Sequence, residues 1–479
     1  MLPDNVLLEI FDFYRQGQYH TIHEHTMWQI WNWNLLVHVC YRWRLAIFAS
    51  PRRLNLQIFC TLRTPVRERL CVWPAFPIVM DYYYHSSISP GDEDNVVAAL
   101  KHFDRVCGVR LALMDSQLGR ITEVMKEPFP LLTRLWFRSA SKGGNGPGIG
   151  SLPAEFLGKH APCLQEFGLD GIPYPTLPKL LLSANDLIKL HLCDIPLAGY
   201  ISPEAMAAGF VALTRLESFI LEFRSADSRP DRMRPPPVTR TILPSLTFFH
   251  FQGTSEYLED LVSRIEGPKL NEVLAFYLNQ IVDFQVPQFS KFIDRSVGPK
   301  ITLCRRLGVT FYRDKVAFDI YLHPTHSFWD PSPTKIIVLC EGIDWQLSHM
   351  AQLLSQFSTS LSNVVHVTLE VQHEDDGNDQ FFSESSDGVE WLHLLHQFST
   401  VQTLHVYREL AAFIATALEN ITTEMAAEIM PFLHLIHLEG QPASSIETFL
   451  SARQLSARPV IVINAATEFE QRFQNYVSN

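Results

Sequence analysis

Residues 164–169 read Leu164-Gln165-Glu166-Phe167-Gly168-Leu169, and the placing of their three apolar side chains decides the fold. In an extended chain successive side chains point to opposite faces, so Phe167 and Leu169 share one face. The same spacing, apolar-x-x-apolar-x-apolar, returns on both sides. Upstream it is Val106-Val109-Leu111 and Leu132-Leu135-Phe137. Downstream it is Leu187-Leu190-Leu192, Leu216-Phe219-Leu221 and Leu246-Phe249-Phe251. Farther on come Val364-Val367-Leu369, Val401-Leu404-Val406 and Leu433-Ile436-Leu438. The six copies from 106 to 246 start 26, 32, 23, 29 and 30 residues apart.

Amphipathic helical segments lie between many copies: 256–265, 345–357, 391–398 and 410–418. A strand followed by a helix cannot bury its own apolar face, but stacked neighbours can. Leucine-rich repeats run about 20–29 residues with a strand in each. The spacing here predicts a degenerate version, an α/β chain with parallel strands on one side and helices on the other. The competing reading is an ordinary α/β domain with leucine in its buried strands. Between 270 and 360 only Cys304-Leu307-Val309 fits the phrase, which predicts an inserted or divergent repeat.

The first 50 residues have another texture. Leu2, Val6, Leu7, Ile10, Phe11 and Tyr14 recur at three and four, which predicts a helix with these residues on one face. Pro3 suits a first turn, and Asp4 suits the positive helix end. A polar insert at 15–27 separates this helix from a second helical stretch holding Trp33, Leu36, Val37, Cys40, Trp43, Arg44 and Ile47, which Ser50-Pro51 stops. The expected organisation is a helical module over 1–55, a linker or first irregular repeat over 56–100, and the repeat region over 101–479.

The 479 residues are 47% hydrophobic and 19% charged, ample for a large core. Net charge is −12, and 336–407 holds ten carboxylates without one Lys or Arg. Such a surface disfavours nucleic acid, and a solvated acidic loop around 373–388 is its plain reading. Eight cysteines without a C-x-x-C pair predict reduced, mostly buried thiols in a cytoplasmic or nuclear protein. The start Met1-Leu2-Pro3-Asp4 has no basic signal region, and no apolar run is long enough to span a bilayer.

Chemistry-bearing motifs are missing from the sequence. There is no phosphate loop and no Gly-x-Ser-x-Gly elbow. The glycine loop at 143–150 lacks the acidic partner of a dinucleotide site. His20, His23 and His25 have one nearby carboxylate, Glu24, which predicts a solvated loop rather than a metal site. His434 and His437 fall on opposite faces of a strand. The residues 375–379 do not follow a calcium-loop spacing. No catalytic residue, cofactor or metal is expected. Two loops, 139–150 and the Arg/Pro-rich 224–240, are natural rim sites on a repeat stack.

The phrases Leu2-Pro3-Asp4-Asn5-Val6-Leu7-Leu8-Glu9-Ile10-Phe11 and Val39-Cys40-Tyr41-Arg42-Trp43-Arg44 resemble an F-box. Further phrases extend the likeness to basidiomycete-type fungal F-box proteins over most of the chain. They include Trp73-Pro74-Ala75-Phe76-Pro77-Ile78-Val79, Gly199-Tyr200-Ile201-Ser202-Pro203-Glu204-Ala205-Met206 and Ser255-Glu256-Tyr257-Leu258-Glu259-Asp260-Leu261-Val262. Two features depart from the pattern: the acidic residue after Leu-Pro is followed by Asn5, and the 15–27 insert lengthens the helix connection. The motif's position at the very start points to an upstream helix beyond this sequence. The resemblance implies a short all-helical F-box ahead of a leucine-rich-repeat-like solenoid. It implies the substrate-recognition role in a Skp–cullin–F-box ubiquitin ligase. It also implies contact with the Skp-type adaptor through Leu2, Pro3, Val6, Leu7, Ile10, Leu36, Val39 and Trp43, with an unidentified protein substrate on the repeats. The alternative expectation is a protein-binding scaffold that recruits no ligase.

Overall fold

A computed structural model describes residues 2–17, 33–61, 66–67, 70, 74–83, 88–140, 150–230, 237, 239–278, 285–297, 305–321, 334–340, 343–359, 361–372, 388–419 and 421–463. The chain divides into two compact units, 1–189 and 190–479.

The first unit opens with helices Asp4–Gly17, Trp33–Val37 and Tyr41–Ala49. The second helical stretch expected from the sequence is therefore two helices. Cys40, with extended backbone, separates them, and the last turn of the shorter one tightens through His38 N–H to Leu35 C=O and Val39 N–H to Leu36 C=O. Ser50 caps the third helix at the expected stop. Five strands follow: β1 Ile58–Cys60, β2 Ile78–Tyr82, β3 Val106–Leu113, β4 Arg134–Ser139 and β5 Glu166–Asp170. Each pairs in parallel with the next. The register sets Val109 beside Leu135 and Leu135 beside Phe167, so the repeated phrases align rung on rung. Helices Pro90–Leu100 and Asp115–Val124 make the crossovers between β2, β3 and β4. The first of these begins at Ser89, whose hydroxyl accepts Asp92 N–H at 3.2 Å, with Pro90 in the first turn.

One outward position shows why this phrase tolerates glycine. Trp136 and Gly168 are partners in register, and a Cβ at 168 would lie 2.2 Å from the Trp136 ring. The indole lies across β5 because nothing projects from Gly168.

The second unit continues with β6 Lys189–Ile195, β7 Ser218–Phe223, β8 Thr241–Ile242, β9 Phe248–Gly253, β10 Ile265–Glu266 and β11 Glu272–Tyr277. Next come β12 Arg306–Phe311, β13 Lys315–Tyr321, β14 Thr334–Leu339, β15 His366–Val371, β16 Thr403–Val406, β17 Leu435–Leu438 and β18 Ile461–Ile463. Phe219, Phe249 and Val273 align across three parallel strands, and the first two rings stack 5.4 Å apart. Val367, Leu404, Ile436 and Val462 align in the same way. The helices stack beside the strands: Pro203–Gly209 on Ser255–Arg264, which packs on Pro287–Ser296, and Ile343–Gln356 on Gly388–His396, which packs on Arg408–Glu419. This is the mixed α/β arrangement of parallel strands backed by helices that a leucine-rich-repeat-like stack requires.

Two corrections arise between 270 and 340. Leu270-Val273-Ala275 is a further copy of the phrase, fully buried with Val273 and Ala275 on β11, which the sequence reading passed over because alanine is a weak apolar signal. The strands there are also not all parallel. β13 runs antiparallel between β12 and β14, giving the spatial order β11-β14-β13-β12-β15. Only 312–314 join β12 to β13, far too short for the crossover that parallel pairing needs, so a hairpin forms. β14 then pairs in parallel with β11 and β12 with β15, which keeps the stack continuous within this unit.

Candidate functional site

The N-terminal helices are held together by charge as well as packing. Arg42 reaches back to Asp4 at 2.8 Å and to the Leu2 carbonyl. Arg53 binds Glu9 at 2.5 Å and Asp12 at 3.1 Å. Phe11 meets Trp43 edge-to-face at 5.0 Å. Ile47 is buried, and Phe48 packs on Phe76 at 5.7 Å just before β2, which anchors the module to its own unit.

The structure separates the proposed contact residues into two groups. Leu7 and Leu36 are 3% and 8% exposed, and Trp43 is half-buried; they hold the helices from inside. Leu2, Pro3, Val6, Ile10 and Val39 are exposed. The single apolar face expected for the first helix is two stripes. Leu7, Phe11 and Tyr14 turn inward, while Val6, Ile10 and Phe13 form an outer stripe at spacings of four and three. Phe13, 79% exposed, was missed by the sequence reading, as were Leu35, Tyr41 and Leu45. Among the described residues, eight of the twenty-one exposed large apolar side chains fall within residues 2–45. That density marks these helices as the surface with most to gain from a partner.

The described arginines of the 224–240 loop are tied down. Arg224 makes a two-pronged pair with Asp194 at 2.9 and 2.6 Å, Arg229 lies 3.7 Å from Glu256, and Arg240 donates to the Ser263 carbonyl at 3.2 Å. Arg232 and Arg234, the glycines at 143–148, His20, His23 and His25, and the acidic run at 373–387 lie outside the described residues. Of the six described cysteines only Cys60 is buried; Cys107, Cys163, Cys193 and Cys340 are half-buried and Cys40 is exposed. The expectation of mostly buried thiols is corrected: Cys107 and Cys193 sit at partly exposed positions of β3 and β6.

Polar groups inside the second unit serve packing. Glu259 is 2% exposed, and its carboxylate accepts the N–H groups of Gln288 and Phe289, each at 2.7 Å, at the start of helix Pro287–Ser296. Burial pushes its pKa up to about 7, against the pull of those two N–H groups and Lys291. Arg453 is fully buried, donates to the Leu433 carbonyl at 2.8 Å, and takes longer contacts to Ala426 and Pro431. On the outer strand surface His405 approaches Glu439 at 3.1 Å and stacks on Tyr407 at 4.8 Å. His434 lies just before β17 and His437 within it. Among the described residues no group of three or more His, Cys, Asp or Glu side chains is arranged to hold a metal ion, and no helix is long and apolar enough to cross a membrane.

No family model matches the chain, and no curated protein matches it. Among solved structures the chain is similar to the leucine-rich repeat-containing protein LegL7 from Legionella pneumophila. The match covers 79% of this chain and 98% of that one, at 12% identity and a TM-score of 0.28. At that TM-score the likeness carries no argument, and the fold rests on the strand registers described above.

Proposed function

We propose that this chain is the substrate-recognition subunit of a Skp–cullin–F-box ubiquitin ligase, of the fungal type its phrases resemble. The N-terminal helices dock on a Skp-type adaptor and the stacked repeats hold a protein substrate. The chain contributes binding energy and geometry, and partner subunits carry the chemistry. The observation that supports this reading most is the outer stripe Val6-Ile10-Phe13, with Leu2, Leu35, Val39, Tyr41 and Leu45, exposed on helices whose inner stripe is already packed. An amphipathic surface with two apolar sides satisfies one inside its own unit and leaves the other for a partner.

The test is co-expression with a Skp-type adaptor followed by purification on a tag on this chain. Wild type retains the adaptor. The triple variant Val6→Asp, Ile10→Asp, Leu45→Asp loses it while melting as wild type does. Substituting Leu7 or Trp43 would not decide the matter, since both support the helices from within. If folded wild type fails to retain any Skp-type adaptor, the ligase reading is wrong and the chain is a protein-binding scaffold.

A further inference from the structure

The stack of the second unit ends on β18, and its last rung is incompletely covered. β18 pairs in parallel with β17, and among the described residues no strand lies on its other side. The register puts Val462 in one column with Val367, Leu404 and Ile436. The other three are buried, whereas Val462 is half-buried. On the opposite face of the strand Ile461 is 63% exposed. The helix before β18, Glu447–Leu455, packs on Arg408–Glu419 and Thr423–Glu428. It buries Phe449, Ala452 and Arg453 but leaves Leu450 half-buried and Leu455 82% exposed. Within a stack, such residues are covered by the next repeat. The open edge of β18 is also a template for unwanted pairing, and covering an edge with a helix is one way to blunt it.

Residues 464–479 follow β18 directly and lie outside the described residues, so they are read from sequence alone. Thr467-Glu468-Phe469-Glu470 carries the spacing of a capping box, threonine with glutamate three residues on. Phe469, Phe473, Tyr476 and Val477 then recur at i, i+4, i+7 and i+8, one face of a helix. Gln471, Gln474 and Asn475 fall away from that face, and Glu468 stands four residues before Arg472, the favourable order for an ion pair on a helix. The connection has an ordinary length for this stack. Residues 464–467 are fewer than the 439–446 that separate β17 from Glu447–Leu455, and more than the single Tyr407 between β16 and Arg408–Glu419. At about 1.5 Å per residue a helix over 468–477 is about 15 Å long, close to the roughly 13 Å of Glu447–Leu455.

We propose that residues 468–477 form a helix that closes this end of the stack, laying Phe469, Phe473, Tyr476 and Val477 over Val462 and Leu455. The segment continues the order of the stack, strand and then helix. Its apolar stripe matches an end that leaves apolar side chains uncovered, and its polar face gives the stack the solvated outer side that a terminal repeat needs. A second copy of the chain could cover the same end, but the segment is joined to β18 by a few residues. Such a tether holds it at an effective concentration in the millimolar range, far above that of a second copy in dilute solution. The inference does not depend on the ligase reading, since the N-terminal helices take no part in it.

The test is amide hydrogen exchange on the full chain. In wild type the amides of 472–477 and of 461–463 are protected together. The double variant Phe469→Asp, Phe473→Asp speeds exchange of both segments about tenfold or more, while β6 to β9 exchange as in wild type and show that the chain is folded. Gln471→Lys, Gln474→Lys, on the opposite helix face, leaves both segments as they were. Leu455→Asp, on the receiving side, frees 472–477 although the segment itself is intact. None of these variants alters adaptor retention. Exchange of wild-type 472–477 at the rate of a free peptide overturns the proposal, as does unchanged protection of 461–463 in the phenylalanine double variant. Protection of 461–463 that rises with protein concentration alongside a dimer in sedimentation velocity, with 472–477 exchanging freely, overturns it in favour of a second copy.

Discussion

The N-terminal helices and the strands that follow them in the first unit handle apolar residues in opposite ways. Strands β3 to β5 turn every phrase residue into a closed core: Val109, Leu135, Phe137, Phe167 and Leu169 are all buried. The helices bury Leu7, Phe11, Val37 and Ile47 but leave Val6, Ile10, Phe13 and Leu45 in the open. A repeat buries its apolar face because the next repeat is always there to cover it. Among the described residues the short helical module has no such neighbour on its outer side, and 50 residues cannot enclose two apolar stripes. The comparison predicts that apolar residues in the two regions carry different duties, stability in one and association in the other.

Four measurements break or sharpen that contrast. The largest effect belongs to the stacked core. Phe249→Ala removes a ring stacked on Phe219 and is expected to cost about 3–5 kcal/mol in chemical denaturation of the second unit. Next is Glu259→Ala, which strips the carboxylate from two helix-start N–H groups and is expected to cost about 2 kcal/mol. Glu259 also gives a pH signature. Its folded pKa lies above the unfolded value, so its contribution is full below the unfolded pKa and is lost as pH rises through about 7. The melting temperature of wild type relative to Glu259→Gln should therefore fall between pH 5 and pH 8, and a flat difference would show the group does not titrate there.

Third is Gly168→Ala, whose new Cβ collides with the Trp136 ring and is expected to cost about 1–3 kcal/mol, with a change in tryptophan fluorescence as the indole is displaced. Smallest in stability is the outer stripe. Ile10→Ser should shift unfolding by no more than about 0.5 kcal/mol while weakening adaptor retention. If Ile10→Ser instead destabilised the chain as Phe249→Ala does, the division of duties would be wrong.

Much of the repeat region was legible because its signal is local. An apolar side chain two residues from another, in extended chain, lands on the same face whatever surrounds it. That suffices to place β3 to β7, β9 and β15 to β17. The copy at Leu270-Val273-Ala275 escaped notice because alanine adds little apolar weight, although its position is as buried as the others. The candidate adaptor surface was legible only in part. Spacings of three and four identify a helix, but Val6-Ile10-Phe13 and Leu7-Phe11-Tyr14 satisfy the rule equally well. Nothing in the period says which stripe meets a neighbour.

The sequence by itself determined where strands and helices form, since backbone geometry and side-chain alternation act over a few residues. Tertiary structure alone decided which helix stripe turns inward, that β13 reverses direction between β12 and β14, and that Arg305, Arg306, His366 and His434 share one edge. Those outcomes depend on which segments become neighbours. Residues 305 and 434 come within a few rungs because the intervening helices stack and hand the chain back to the same sheet edge. No local pattern encodes that return, because the free energy favouring it comes from burying one repeat against the next.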